Sequence, residues 1–422
     1  MRLIGSTTFR AFFYDIVDPR MYKLAKLGAR IKSIEGIAMC WETVSGVREV
    51  GIDVLTCDFE NPFQMVRDPC GPRDYSAEIS RLRSINAENS PSSLAFALSE
   101  YFAIDILGKG NLMLKMCFLI SLMALRSKGE EKNEYIRHKS IMVVGNYLYR
   151  VRTLFAFASK FAHNHFIHSS QVSVSVVARK NKNTFWNDAG SLQLATNGVC
   201  VIDAQKVSEK DHNDLVAILE HNKFPIKVDK NQSSREETLN IAIWVSQSLE
   251  LCQQTGKNKP IPLSLFPLVI RCEEDPSSRG ESPLLQEDWA QLFTLASHVE
   301  LIFTKEAKDI LENYFFTARN RLRDKCDRLA ISHLMTSAIA LAKLCLRHHV
   351  LSFDAILAIS LFEESCLIKY GASILYGTDF PRFERLVQLF QEKGGSRHID
   401  DIRESLEKNL DSSFDDSEMN EE

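Results

Sequence analysis

The sequence predicts an α/β fold: a parallel sheet with helices on both faces, followed by a helical region. Three observations predict it. Short apolar runs at Ile141–Gly145, Gly198–Asp203, Leu239–Val245 and Leu265–Ile270 read as buried strands, each too short for a helix and bounded by Gly, Asp, Pro or polar residues. Helical spacing fills the intervals between them, which is the crossover connection that parallel strands need. From Thr304 to Tyr370 the apolar pattern is helical throughout, with Thr304 a fitting N-cap and Gly371 a fitting stop.

The remaining elements follow in chain order. Residues 2–60 alternate β-rich runs (FRAFFYDIV, ARIKSIEGIAM, VREVGIDVL) with Gly, Pro and Asp, which predicts strands. The stretch from Pro62 to Ser92 carries Pro69, Gly71, Pro72 and Pro91 and reads as a linker with one short helix around Ser76–Ile85. From Ser93 the spacing becomes helical. Met113–Leu125 is the most apolar stretch, but its 13 residues are too few to span a bilayer, so it reads as a buried core helix. An amphipathic helix around Pro381–Lys393 precedes a charged segment and an acidic tail, and no repeat of fixed period occurs.

Composition narrows the function classes. The chain has 422 residues, 45% hydrophobic and 25% charged, as a folded chain of two or three units would. Its tail holds Asp411, Asp415, Asp416, Glu418, Glu421 and Glu422, and setting these six aside moves the formal charge from −4 to +2. The body is thus near neutral, and no strong basic field announces nucleic acid. Ten cysteines are scattered without CxxC pairs, and several, such as Cys117 and Cys345, sit in apolar runs. Reduced thiols acting as small hydrophobes are expected, with no zinc framework. The start lacks the apolar core and cleavage site of a signal peptide, which with the reduced thiols predicts the cytosol or nucleus.

Strand, glycine and helix succeed one another at IMVVGNYLYRVRTLFAF, as they do around a phosphate-binding loop. That loop asks for G-x-x-x-x-G-K-[ST]: small residues bring backbone N–H groups around the phosphates, the Lys neutralises them, and the hydroxyl ligates Mg²⁺. Only Gly145 meets the pattern; Arg150 stands at the second small residue, Val151 at the Lys and Arg152 at the hydroxyl. The run from Asp188 to Asp203, DAGSLQLATNGVCVID, carries more information. It closely resembles the Walker B region of minichromosome maintenance (MCM) helicases, E-A-G-A-L-x-L-A-D-x-G-x-C-x-I-D-E-F. The resemblance covers roughly residues 93–370 and implies an AAA+ P-loop-type parallel sheet with a helical lid, preceded by a partial β-rich OB-like segment.

The resemblance also says which posts are altered. Asp203 stays, but the second acidic residue, which activates the attacking water, is Ala204. The strand LNIAIWV resembles the sensor-1 strand, and its polar Asn falls on Trp244 or Val245. Ser264–Pro267 resembles the family's S-R-F-D, with Leu265 at the arginine finger. RLAISHL from Arg328 resembles R-I-T-V-R-Q-L, with Ser332 at the second arginine and Arg328 retained one turn earlier. Two channel-facing elements keep positive charge: Lys230, at the Lys of the family's I-S-I-x-K-A-G hairpin, and Arg179, Lys180 and Lys182, in the segment matching its helix-insertion loop. Lysines there can neutralise phosphates without reading sequence.

What the resemblance implies is a degenerate ATPase, not an enzyme: no cofactor is expected, ATP with Mg²⁺ being disfavoured, and no metal. The implied role is that of a scaffold in meiotic homologous recombination and double-strand break repair, in the nucleus, with other MCM-like subunits or meiotic recombination proteins and DNA as partners and no membrane. The competing readings are an ATP-binding or weakly active helicase subunit using Arg150 and Arg152, and a module that binds nucleotide through Gly145 and Asp203 without turnover. Each residue also has a plainer reading: Gly145 a strand-to-helix turn, Asp203 a strand-end cap, Arg150 and Arg152 a solvated face, Lys230 a turn lysine. His163, His165 and His168 have ligand-like density, but no Cys or carboxylate is placed to complete a tetrahedral set. The implied layout is 1–62 OB-like segment, 63–92 linker, 93–303 core, 304–372 lid, 373–410 C-terminal helices and 411–422 disordered acidic tail. The short stretch before the core is too small for the family's whole N-terminal region, so a short isoform or a piece beginning inside the OB domain is expected.

Overall fold

The computed structural model describes residues 10–12, 31–42, 48–59, 77–87, 93–126, 139–146, 148–181, 184–221, 224–226, 235–237, 240–253, 260–272, 280–375, 380–391, 401–406 and 408. They fall in two compact units, Met1–Pro69 and Cys70–Glu422. The first holds β1 (Arg10–Phe12), β2 (Ile31–Glu42) and β3 (Arg48–Phe59). β2 and β3 form an antiparallel hairpin, and β1 runs parallel to β3 on its other edge.

In the second unit the expected α/β fold is present. Its sheet contains β4 (Ile141–Gly145), β5 (His165–Ile167), β8 (Gly198–Asp203), β11 (Ile241–Ser248) and β12 (Leu268–Cys272), in the order β12-β4-β11-β8-β5. Every pairing is parallel. Antiparallel ladders join β6 (Val177–Asn181) to β7 (Thr184–Asp188) and β9 (Phe224–Ile226) to β10 (Arg235–Glu237).

Although the strands read as unbroken apolar runs, their side chains alternate between two cores, as the two-residue period requires. Ile141, Val143, Val199, Val201, Ala242, Trp244, Leu268 and Ile270 enter one core, which also takes in α3 (Leu112–Arg126) and α4 (Leu148–Ala158). Met142, Val144, Cys200, Ile202, Ile241, Ile243, Val245 and Val269 enter the other, against Leu215, Ile218 and Leu219 of α5 (Glu209–His221). Ahead of the sheet, α1 (Ala77–Ala87) and α2 (Ser93–Tyr101) join the first core through Ile79, Leu82, Phe96 and Leu98.

Three sequence expectations need correction here. The third strand extends to Ser248 and the fourth begins at Leu268, because Leu263–Leu265 closes a 3₁₀ turn in front of Pro267. The edge strand β5 was not anticipated, since HFI carries two exposed side chains and no apolar run. The lid is not helical throughout. After α6 (Gln286–Ser297) it consists of α7 (Lys305–Leu322), α8 (Leu329–Leu344) and α9 (Ser352–Tyr370). A 3₁₀ turn at Arg323–Lys325 and a two-residue parallel bridge, β13 (Ile302–Phe303) with β14 (His349–Val350), interrupt them.

The caps are where the sequence puts them: Thr304 Oγ1 accepts from Ala307 N at 3.3 Å, and Gly371 adopts φ of 64°. Buried polar groups fix the lid. Glu363 accepts from the Tyr314 hydroxyl, the Ser373 hydroxyl and Ile374 N, the last at 2.9 Å. Ser365 Oγ donates to Pro267 O at 3.0 Å and accepts from Val269 N at 2.8 Å, which ties α9 to the start of β12. The last described long helix, α10 (Phe383–Gln391), buries Phe383, Leu386, Val387 and Phe390, and the Phe390 ring lies 4.9 Å from that of Phe353. Among the described residues no helix is long and apolar enough to cross a membrane.

Candidate functional site

Parallel α/β sheets bind ligands at the carboxyl ends of their strands, so the site is sought where β4, β8 and β11 end. Register brings the three ends together: Gly145 is level with Ser248, and Asp203 with Ser246. β4 ends at Gly145 and α4 begins at Leu148, so only Asn146 and Tyr147 separate strand from helix. In the phosphate-loop pattern four residues separate the two glycines, and here two of those four, Leu148 and Tyr149, already belong to the helix.

The helix that follows faces inward with Leu148, Val151, Leu154, Phe155 and Ala158, at helical spacing. Val151, at the position of the phosphate-binding Lys, is wholly buried in the core. Gly145 is required by a neighbour rather than by a ligand, because a Cβ there would stand 2.7 Å from Cys272 O on β12.

Arg150 and Arg152 leave the helix on its open side. Arg150 Nε donates to the Tyr149 hydroxyl at 3.0 Å, with its guanidinium 5.9 Å from that ring's centre. Arg152 turns to the strand end, where its Nη2 lies 2.7 Å from Asp203 Oδ2 in an ion pair that is not an aligned hydrogen bond. Lys206 Nζ is 3.9 Å from the same oxygen. Asp203 Oδ1 accepts from Gln205 N at 3.3 Å and so caps the 3₁₀ turn Ala204–Lys206. Gln205 Nε2 in turn donates to Ser248 Oγ at 3.3 Å. The Mg²⁺ that the fold family implies does not fit these residues: Asp203, the acidic group at the strand end among the described residues, is already flanked by two cations, and the hydroxyl position is a guanidinium.

Trp244 and Val245 do not reach this place. Trp244 is level with Ile141, the first residue of β4, four residues short of the strand ends. Its indole is fully buried, 4.8 Å edge-on from Phe118, and its Nε1 donates to Ser121 Oγ at 2.9 Å. The polar end of β11 is instead Ser246, Gln247 and Ser248. Sequence reasoning missed them and Gln205, although the polar break SQS after an apolar run was a usable signal.

The posts matching the trans-acting elements lie away from the strand ends. Leu265 is buried and lines a cavity of about 180 Å³ with Phe266, Asp327, Ala330, His333 and Lys369. Ser332 sits half-buried on the first turn of α8, and Arg328 is the exposed residue preceding that helix. Arg179 and Lys180 lie on β6, opposite Trp186 and Phe185 of β7. Lys182 and Lys230 are outside the described residues.

His165 and His168 differ in exposure. His165 is exposed on β5, while His168 is buried with its Nδ1 2.8 Å from Ser191 Oγ. Among the described residues no group of three His, Cys, Asp or Glu side chains could hold a metal. Burial pushes the His168 pKa down from 6.5, against the pull of Asp211. A base held neutral by folding takes up its proton more readily when unfolded, so its contribution is complete above about pH 6.5 and declines as pH falls through that value toward the lower folded pKa. Denaturation midpoints compared at neutral and mildly acidic pH should therefore fall on acidification, and His168→Asn, which can keep the bond to Ser191, should flatten the slope.

Residues 81–232 match the family model "MCM P-loop domain". The chain is similar to minichromosome maintenance domain-containing protein 2 of mouse, with 25% identity over 362 residues, 72% of this chain and 51% of the relative. The human protein of that name is 24% identical over 365 residues, covering 72% and 52%, and the rat protein 25% over 336, covering 65% and 48%. The chain spans about half the length of the curated relatives it matches. These matches and the Walker B-like run at the end of β8 make the chain similar to proteins of the minichromosome maintenance family over part of its length.

Proposed function

We propose that the chain is a non-catalytic MCM-like factor that serves as a scaffold in meiotic homologous recombination and double-strand break repair, in homologue pairing and crossover formation. The observation that carries the non-catalytic part is the junction of β4 and α4: two residues long, with Val151 buried where a phosphate-binding lysine would stand. Ala204 in place of the water-activating acid, and Leu265 and Ser332 in place of the trans arginines, point the same way. Loss of one trans arginine alone lowers phosphoryl transfer by roughly 10³–10⁵-fold. The meiotic role is supported by the likeness to minichromosome maintenance domain-containing protein 2 of three mammals. In this reading the chain works in the nucleus beside MCM-like subunits or recombination proteins, and Lys230, Arg179, Lys180 and Lys182 are its contacts to DNA phosphates.

The test is equilibrium calorimetry of ATP and ADP with Mg²⁺ on the purified chain, with a turnover assay on the same sample. No saturable heat and no phosphate release are expected. Saturable heat or turnover, lost in Asp203→Ala, would replace this reading with an ATP-binding or weakly active subunit. The meiotic part is checked by disrupting the gene in germ cells, where breaks are expected to persist; normal repair would refute it.

A further inference from the structure

We infer that Arg152 is a built-in counter-cation for Asp203, filling with its own guanidinium the role that a divalent cation plays at a functional site of this type. The inference rests on the non-catalytic reading and deepens it: the site is closed as well as incomplete.

The argument starts from burial. The Asp203 side chain is only 9% exposed at the end of β8, and a carboxylate so enclosed needs a compensating positive charge. Arg152 supplies one at 2.7 Å, from the first turns of the helix that follows β4. In a nucleotide-binding loop this position holds a hydroxyl, which leaves the aspartate available to a metal ion. A guanidinium there brings its own positive charge to the carboxylate.

The neighbouring polar groups reinforce the arrangement. Lys206 Nζ stands 3.9 Å from the same oxygen, so two cations face one carboxylate and the locality is net positive. The second oxygen, Oδ1, already accepts from Gln205 N. Arg152 Nη2 also reaches Gln205 Oε1 at 3.5 Å, Gln205 Nε2 reaches Ser248 Oγ at 3.3 Å, and Ser248 Oγ accepts from Leu251 N at 3.2 Å. These contacts join the ends of β8, α4 and β11, which a bound nucleotide and its metal otherwise bridge. A divalent cation approaching Asp203 would have to displace one cation and overcome repulsion from another.

The prediction is a gain of metal binding when the arginine is removed. Mn²⁺ is the probe, and its free concentration is read by electron paramagnetic resonance in titrations of the full chain. The wild-type chain is expected to bind none at Asp203. Arg152→Ser is expected to gain at least roughly tenfold in Mn²⁺ affinity, and Arg152→Ser/Asp203→Asn to lose that gain. Added Mn²⁺ should also raise the melting temperature of Arg152→Ser and leave the wild type unmoved.

Arg152→Gln, which keeps a neutral donor beside Asp203, should gain Mn²⁺ as well and guards against misfolding of the serine variant. Arg152→Lys should go on excluding the ion. Equal Mn²⁺ binding by wild type and variants, or no gain in a folded Arg152→Ser or Arg152→Gln, would overturn the inference. The non-catalytic reading fails on a different result, ATP turnover or Mg²⁺·ATP heat with the wild-type chain. Each can therefore fall without the other.

Discussion

Replacing Asp354 by alanine is expected to destabilise the second unit by about 3–5 kcal/mol, the range found when one partner of a buried ion pair is removed. Asp354 is fully buried at the start of α9. Burial pushes its carboxyl toward the protonated form, against the pull of Arg347. Arg347 holds it bidentately, Nη2 on Oδ1 at 2.6 Å and Nη1 on Oδ2 at 2.9 Å, and Leu351 N adds a bond to Oδ2 at 2.9 Å. Arg347 Nη1 also donates to His349 O at 3.0 Å, so the pair pins the turn between α8 and α9. In Asp354→Ala, Arg347 keeps its charge in a largely buried place and Leu351 N loses its acceptor. Denaturant midpoints measured at constant slope would show the loss. A change below about 1 kcal/mol, the ceiling for exposed pairs, would mean that solvent reaches the site.

Trp244→Ala is expected to cost about 3–5 kcal/mol, as large-to-small changes of buried aromatics do. The indole is wholly enclosed between Phe118 and Phe155, and Ser121 accepts from its Nε1. Trp244→Phe should cost less, because it keeps most of the ring packing and gives up mainly the hydrogen bond, worth about 1 kcal/mol. Thermal or denaturant unfolding of the two variants distinguishes the terms. Equal losses would mean that the hydrogen bond, not the packing, anchors the strand.

Trp244 also shows where reading by resemblance goes astray. A motif can be laid on the strand IAIWVSQS with either its apolar or its polar end at the site, and the sequence does not choose. Pairing with β4 and β8 does: it sets Ser246 and Ser248 level with Asp203 and Gly145, and Trp244 level with Ile141 and Val201, inside the sheet. Arg152 shows the same limit from the other side. Its position at the hydroxyl of a P-loop pattern is plain in the sequence, but its ion pair with Asp203 joins residues 51 apart in number, and only the parallel pairing of strands between them makes the two neighbours.

Features that depend on local spacing and on preserved runs of residues are legible in the linear chain. The four buried strands, the apolar helix α3, the cap at Thr304, the stop at Gly371 and the family likeness at 188–203 all belong to this class, because periodicity, backbone conformation and motif order are properties of the linear chain. Features that depend on register and on burial come only with the packed fold. The edge strand β5 exists only by pairing with β8, since its side chains are too exposed to leave an apolar signature. Gly145 is glycine because Cys272 O approaches it, a contact made across 127 residues of chain. The closure of Asp203 by Arg152 follows from where α4 emerges above the sheet, whereas Lys206 stands only three residues further along the chain.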